Sequence, residues 1–209
     1  MCGRFMLFDE AQDEELRRII DELGRQFRGG GRQLPTFKSE EILTKSGEIF
    51  PTDTVPILTA GNGEVSVVSA RWGFPKFKDA GVIINARAET LEEKPAFRKS
   101  FREHRCIVPA NGYLEWKRTG AQKEKYLIRT EKPVLFMAGL YDVFRDKNNA
   151  PYTGFVIITT EPNSVISRIH NRMPAILPPE KIGIWLGDDD GESKRLLVPF
   201  NGRVVPEAV

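Results

Sequence analysis

Apolar residues along this chain fall in short alternating runs broken by glycine, proline and asparagine, a pattern of strands more than of helices. Phe5-Met6-Leu7-Phe8 reads as a short strand. Asp9 then caps a predicted helix at 11–23, with an apolar stripe at Leu16, Ile19, Ile20 and Leu23, and Gly24 ends it. Arg28-Gly29-Gly30-Gly31-Arg32 reads as a flexible loop. Residues 49–58, punctuated by Pro51 and Pro56, are expected to be irregular or an edge strand, and 59–63 to form a hairpin turn into a strand at 65–70. Further strands are predicted at 82–85, 105–109, 112–118, 126–130, 134–141 and 155–160. Helices are predicted at 94–104, 179–186 and 192–197. Strands predominate without a βαβ rhythm, a repeat or a dividing linker. The expectation is one domain over residues 1–209, of α+β class, with a mixed, barrel-like sheet and a few flanking helices.

Composition narrows the function classes. The 209 residues are enough for a substantial core, and 40% hydrophobic with 29% charged residues is the balance of a soluble globular protein. No apolar run approaches the roughly 18 residues needed to cross a bilayer, and acidic residues from Asp9 onward argue against a signal peptide. An intracellular protein with no membrane partner is expected, and a monomer. Two cysteines and two histidines exclude a cysteine-rich zinc site or a disulfide framework, so neither metal nor cofactor is anticipated. The net charge of +2, from 31 basic and 29 acidic residues, gives no global attraction for nucleic acid. A polyanion would have to be met by a local cluster of arginines.

Cys2 changes the picture. Removal of Met1 would leave its thiol and a free α-amine two bonds apart, and that pair condenses with an aldehyde to a five-membered thiazolidine. Three other segments place polar groups beside apolar strand residues: Asn85-Ala86-Arg87-Ala88-Glu89-Thr90, Gly112-Tyr113-Leu114-Glu115-Trp116 and His170-Asn171-Arg172-Met173-Pro174. Each alone has an ordinary structural reading: Asn85 as a loop former, Glu115 as a half-exposed strand residue, His170 as a hydrogen-bonded structural histidine. Together they supply a nucleophile, a carboxylate, an imidazole, an amide and arginines, a set suited to carbonyl chemistry beside a phosphate. Cys106, within an apolar strand, reads as core, and His104 as a surface residue at a helix C-terminus.

These segments, with Met1-Cys2-Gly3-Arg4-Phe5, Trp72-Gly73-Phe74, Arg105-Cys106-Ile107-Val108-Pro109-Ala110 and Ala138-Gly139-Leu140-Tyr141, run through essentially the whole chain. In this ordered set the chain resembles the SRAP family, the SOS response-associated peptidase-like proteins that process abasic sites in single-stranded DNA. It departs at Tyr113-Leu114, where an aromatic pair is common, and at Asn171, where an acidic residue is common.

The resemblance implies that Cys2, freed of Met1, captures the ring-opened abasic-site aldehyde as a thiazolidine. It implies Glu115 as general acid/base with a pKa raised by burial beside Trp116 or Tyr113, His170 as a proton shuttle, and Asn85 as an orienting hydrogen bonder. Arg4, Arg87 and Arg172 are then expected to contact DNA phosphates, while Trp72 and Phe74 offer faces for base stacking. Structural alternatives stand beside two of these: core packing for Trp72 and an ion pair for Arg172. Release of Met1 by the same groups and strand-cleaving lyase chemistry are implied side activities. A cysteine peptidase and a non-catalytic single-stranded or modified-base DNA-binding module remain as competing readings.

Overall fold

Residues 2–7, 46–61, 64–76 and 79–209 are described by a computed structural model. The expected helix at 11–23 with its Asp9 cap, the glycine-rich loop at 28–32 and turn residues 62 and 63 lie outside the described residues.

In chain order the elements are strands β1 (Arg4–Leu7), β2 (Gly47–Ile49), β3 (Thr54–Gly61), β4 (Glu64–Trp72), β5 (Phe74–Pro75), β6 (Val82–Ile83) and β7 (Asn85–Arg87), then helix α1 (Pro95–Glu103). Strands β8 (Arg105–Ala110), β9 (Gly112–Thr119), β10 (Gln122–Thr130), β11 (Leu135–Arg145), β12 (Pro151–Thr160), β13 (Met173–Pro174) and β14 (Ile176–Leu177) follow. Helices α2 (Ile182–Leu186) and α3 (Asp190–Arg195) and strand β15 (Val204–Ala208) complete it. The α+β class is as expected. The first terminal helix is shorter than predicted, with Pro179–Lys181 forming a single 3₁₀ turn before α2, and the second has the predicted length but starts two residues earlier, where Asp189 caps α3 by accepting from the Glu192 amide at 2.9 Å.

The mixed sheet closes on itself. β12 pairs in parallel with β4, β4 pairs with β3, β3 with β8, β8 with β11, and β11 returns to β12, making a five-stranded barrel. Closure removes the sheet edges of these strands over their paired lengths and gives the core two facing walls. The stretch expected to be irregular near Pro56 is a regular strand. β8 joins β3 only at Leu58 and Thr59, which leaves that edge of Pro56 without a ladder to break. β7 pairs in parallel with β12 past the end of β4, with Asn85 opposite Ile157, and β13 adds antiparallel at Thr159 and Thr160.

A second sheet, ordered β15-β10-β9-β1-β2, leans on the barrel. Only Asn111 separates β8 from β9, and its amide donates to the Met6 carbonyl at 2.9 Å, so the barrel wall leads straight into the strand that flanks β1. Trp72, fully buried, joins the two bodies: its ring meets Phe5 edge-on at 5.0 Å and stacks on Phe155 at 6.3 Å. Among the described residues no helix is long and apolar enough to cross a membrane.

Two devices hold the barrel at its base. Arg105, buried at the start of β8, donates to the carbonyls of Phe101, Trp185 and Gly187 and pairs with Asp190, which fastens α1, α2 and α3 to the wall. Gly139 on β11 faces Cys106 and Ile157 on its two neighbours, and a Cβ there would lie 2.9 Å from both Cys106 Sγ and the Val156 carbonyl. The three strands approach closely because position 139 has no side chain. Cys106 is buried core, as expected. Gly139→Ala is therefore predicted to destabilise the fold by about 1–3 kcal/mol through overpacking. In a denaturant titration this appears as a lower midpoint with an unchanged slope.

Candidate functional site

Cys2 is fully buried, although it lies at the edge of the chain where termini are usually loose. β1 is the reason. It pairs on one side with β2 and on the other with β9, with Arg4 opposite Leu114, Phe5 opposite Tyr113 and Met6 opposite Gly112. Just beyond the strand, the Asn85 side-chain amide donates to the Cys2 carbonyl at 2.8 Å. Asn85 is itself held by its place on β7 and by the preceding residue, whose carbonyl accepts from Trp72 Nε1 at 3.0 Å. The Cys2 thiol lies 3.6 Å from the Arg4 carbonyl.

Glu115 comes from the middle of β9 and is 2% exposed. Burial raises its pKa, opposed in part by the cationic chain terminus and the Trp116 amide. The Cys2 thiol is pushed well up, first by burial and then by the Glu115 carboxylate. His170 follows a 3₁₀ turn, Ile166–Arg168, with its Nδ1 3.8 Å from Glu115 Oε1. Its pKa is lowered by burial and by the chain terminus. The Arg172 amide lies 3.0 Å and the Arg172 carbonyl 3.3 Å from Nδ1, so the backbone of Arg172 holds the ring whichever nitrogen carries the proton. Four expected site residues, Cys2, Asn85, Glu115 and His170, thus converge from four separate segments.

A pocket of about 440 Å³ opens beside two of them, Glu115 and His170. Its walls include Glu115, Trp116, Arg118, Lys123, His170 and Asn171. Arg118 and Lys123 stand directly opposite each other on the β9–β10 hairpin, a like-charge pair that weakens a ladder unless something anionic lies between. Neither was singled out from the sequence. The hairpin register that pairs them cannot be read without knowing where the turn falls.

The arginines divide. Arg87 is exposed at the end of β7. Arg4 is partly exposed and lies over the rings of Phe50 and Trp116 at 4.5 and 5.1 Å, with Nη1 2.8 Å from Glu48 Oε1. Glu48 also accepts from Lys125 at 3.0 Å, and although partial burial pushes its pKa up, these two cations hold it below the ordinary range. Arg172 is different. Its two terminal nitrogens grip Glu89 at 2.8 and 2.9 Å and one also donates to the Thr159 carbonyl at 2.6 Å, leaving the side chain 11% exposed. Instead of facing outward to a phosphate, it braces the His170 loop against β12 and the turn after β7.

The stacking role expected of Trp72 and Phe74 is corrected. Trp72 is 0% exposed between Phe5 and Phe155, and Phe74 is buried between Phe97 and Phe144, so neither offers a face to a base. Trp72 acts instead through its indole N–H, which fixes the backbone before Asn85. Trp116, half-buried on the pocket wall, is the aromatic that the pocket presents.

The profile of the SOS response associated peptidase (SRAP) family matches residues 1–207. The chain is 35% identical to the abasic site processing protein YoqW of Bacillus subtilis, over 96% of this chain and 88% of that one. It is 28% identical to the abasic site processing protein HMCES of Xenopus tropicalis, over 92% of this chain and 67% of that one. Among solved structures, a protein from Bacteroides thetaiotaomicron superposes with a TM-score of 0.78 at 31% identity, covering 100% of this chain and 92% of that one. A Bordetella bronchiseptica protein shares the fold at a TM-score of 0.74 and 19% identity. With its profile matched almost end to end, the chain belongs to the SOS response associated peptidase (SRAP) family.

Proposed function

We propose that this protein processes abasic sites in single-stranded DNA, capturing the ring-opened deoxyribose aldehyde covalently through Cys2. The observation that carries the reading is the Asn85 amide on the Cys2 carbonyl, with the Glu115–His170 pair set beside the same residue at the end of a pocket. Support comes also from relatives that are named abasic site processing proteins.

Loss of Met1 exposes the Cys2 α-amine. An α-amine has an ordinary pKa of about 7.7–8.0, so an appreciable fraction is neutral near pH 7. The buried thiol is held protonated, so the amine attacks first. It adds to the aldehyde carbon, and the resulting carbinolamine loses water to an imine. Glu115, whose pKa burial raises, donates from its protonated form to the departing hydroxyl. The Cys2 sulfur then adds to the imine carbon and closes the thiazolidine. His170, neutral and 3.8 Å from Glu115, relays the proton between the carboxyl and solvent. Asn85 keeps the Cys2 backbone from turning away.

Arg4 and Arg87 contact the flanking phosphates, and Arg118 with Lys123 supplies local positive charge that the net balance lacks. β-Elimination from the imine and self-removal of Met1 are the side reactions these groups permit.

The deciding experiment is intact mass of the purified protein before and after incubation with an abasic-site single-stranded oligonucleotide. Loss of Met1 and a stable one-to-one adduct are expected. Cys2→Ala should give none, and Cys2→Ser only an imine that needs borohydride to survive. No adduct from a wild-type chain confirmed to begin at Cys2 overturns the reading.

The raised Glu115 pKa gives a second prediction. A carboxyl that holds its proton more tightly when folded loses stability as pH rises from the ordinary value of about 4.3 through the raised one. Glu115→Gln should therefore raise the melting temperature at pH 7–8, with the gain shrinking towards pH 4. The same variant should slow capture roughly 100-fold or more while leaving DNA affinity nearly unchanged. Thermal melts across pH and single-turnover capture check the two halves.

A further inference from the structure

β7 carries Asn85, which holds Cys2, and the 3₁₀ turn that follows it, Ala88–Thr90, carries Glu89. The reaction above leaves this carboxylate without a role. Its two oxygens accept from the two terminal nitrogens of Arg172, at 2.8 and 2.9 Å. A two-point grip of this kind fixes a guanidinium in direction as well as in distance. Nη2 also donates to the Thr159 carbonyl of β12 at 2.6 Å, so Arg172 is pinned from two sides. The grip holds the Glu89 pKa below the ordinary carboxylate range, which keeps the pair closed at neutral pH.

The imidazole of His170 depends on what holds Arg172. Nδ1 lies 3.0 Å from the Arg172 amide, 3.3 Å from the Arg172 carbonyl and 3.8 Å from Glu115 Oε1. His170 stands between a single 3₁₀ turn, Ile166–Arg168, and the two-residue strand β13, which is little regular structure to place a ring. The Arg172 side chain ties this loop to β12 and to the turn after β7. Glu89 is 48% exposed, and a half-exposed ion pair contributes little to global stability. Its effect is therefore local, on the loop that it anchors.

Building on the function proposed above, we propose that Glu89 is a positioning residue for His170: by gripping Arg172 it sets the imidazole beside Glu115 and in register with the Cys2–Asn85 half of the site. Glu89 touches neither the lesion nor the reacting atoms, and no bond to it forms or breaks. One short segment then serves both halves, Asn85 through the Cys2 carbonyl and Glu89 through Arg172.

The test is Glu89→Ala in a chain confirmed to begin at Cys2, with two readouts. The first needs no DNA: the His170 ring is titrated by NMR, with the other histidine, His104, as internal control. Losing a carboxylate, by charge alone, disfavours the imidazolium and would lower the His170 pKa further. A ring released from its buried place regains solvent instead, and its pKa rises towards the ordinary value of about 6.5. A rise is expected. The second readout is single-turnover capture of an abasic-site single-stranded oligonucleotide. Capture should slow roughly tenfold or more, with DNA affinity within about threefold of wild type. Because Glu89 acts through His170, adding Glu89→Ala to His170→Ala should slow capture no further. Glu89→Gln keeps the length and one acceptor oxygen, so both readouts should move the same way by less, and it carries the test should the alanine variant not fold.

A His170 pKa that falls or stays in place, or losses that add in the double variant, overturns the inference. Absence of an adduct from wild type instead overturns the capture reading beneath it, while the histidine titration still decides the role of Glu89, so the two failures are distinguishable.

Discussion

A chain terminus is ordinarily the part of a domain with the fewest neighbours, and a side chain there would hold no fixed geometry. Here that freedom is removed by the pairing of β1 between β2 and β9, and the rest of the site depends on it. The strand is only four residues long, too short to hold by its ladder alone. It holds because Phe5 is buried against Trp72, and because Trp72 belongs to the barrel wall. The same indole fixes the Ile84 carbonyl, which aims Asn85 at Cys2. One buried tryptophan thus ties the terminus to the barrel and sets the residue that grips it.

Desolvation then drives the titratable groups of the site the same way, towards neutrality. The carboxyl of Glu115 rises, the imidazole of His170 falls, and the thiol of Cys2 rises. This has a chemical consequence. A site that keeps its thiol protonated does not favour direct thiolate attack, whereas an α-amine titrates near neutrality with little tuning. Under the proposed chemistry, amine first and sulfur second is the order that burial of the thiol favours.

Much of this was legible along the chain. Short alternating runs gave most strands within a few residues, and the polar interruptions at Asn85, Glu115 and His170 marked groups that the fold brings together. A mixed, barrel-like sheet was expected, but which strands close it was not legible. Closure rests on the parallel pairing of β12 with β4, strands far apart in sequence with no helical crossover rhythm to announce them. The aromatics misled for a related reason. Trp72 and Phe74 flank a glycine in a motif that looks exposed, yet alternation gives the face of a strand without saying whether that face is covered. Trp116 follows a buried glutamate by one residue, which turns it outward to the pocket.

The arginines show why charge is the hardest property to read from sequence. Arg4, Arg87 and Arg172 were equivalent until carboxylates were placed beside them. Glu89 takes both arms of Arg172 and converts it into a brace for His170. Glu48 takes one arm of Arg4, while the flat face of the guanidinium rests on Phe50 and Trp116. Such an arginine is already oriented, and under the proposed function a phosphate meeting it would bear little cost for ordering it and would share it with Glu48. With a net charge of +2 there is little long-range pull on a polyanion. Under the proposed chemistry, discrimination must therefore arise at short range, from preset guanidinium groups, the opposed Arg118 and Lys123, and the covalent step itself.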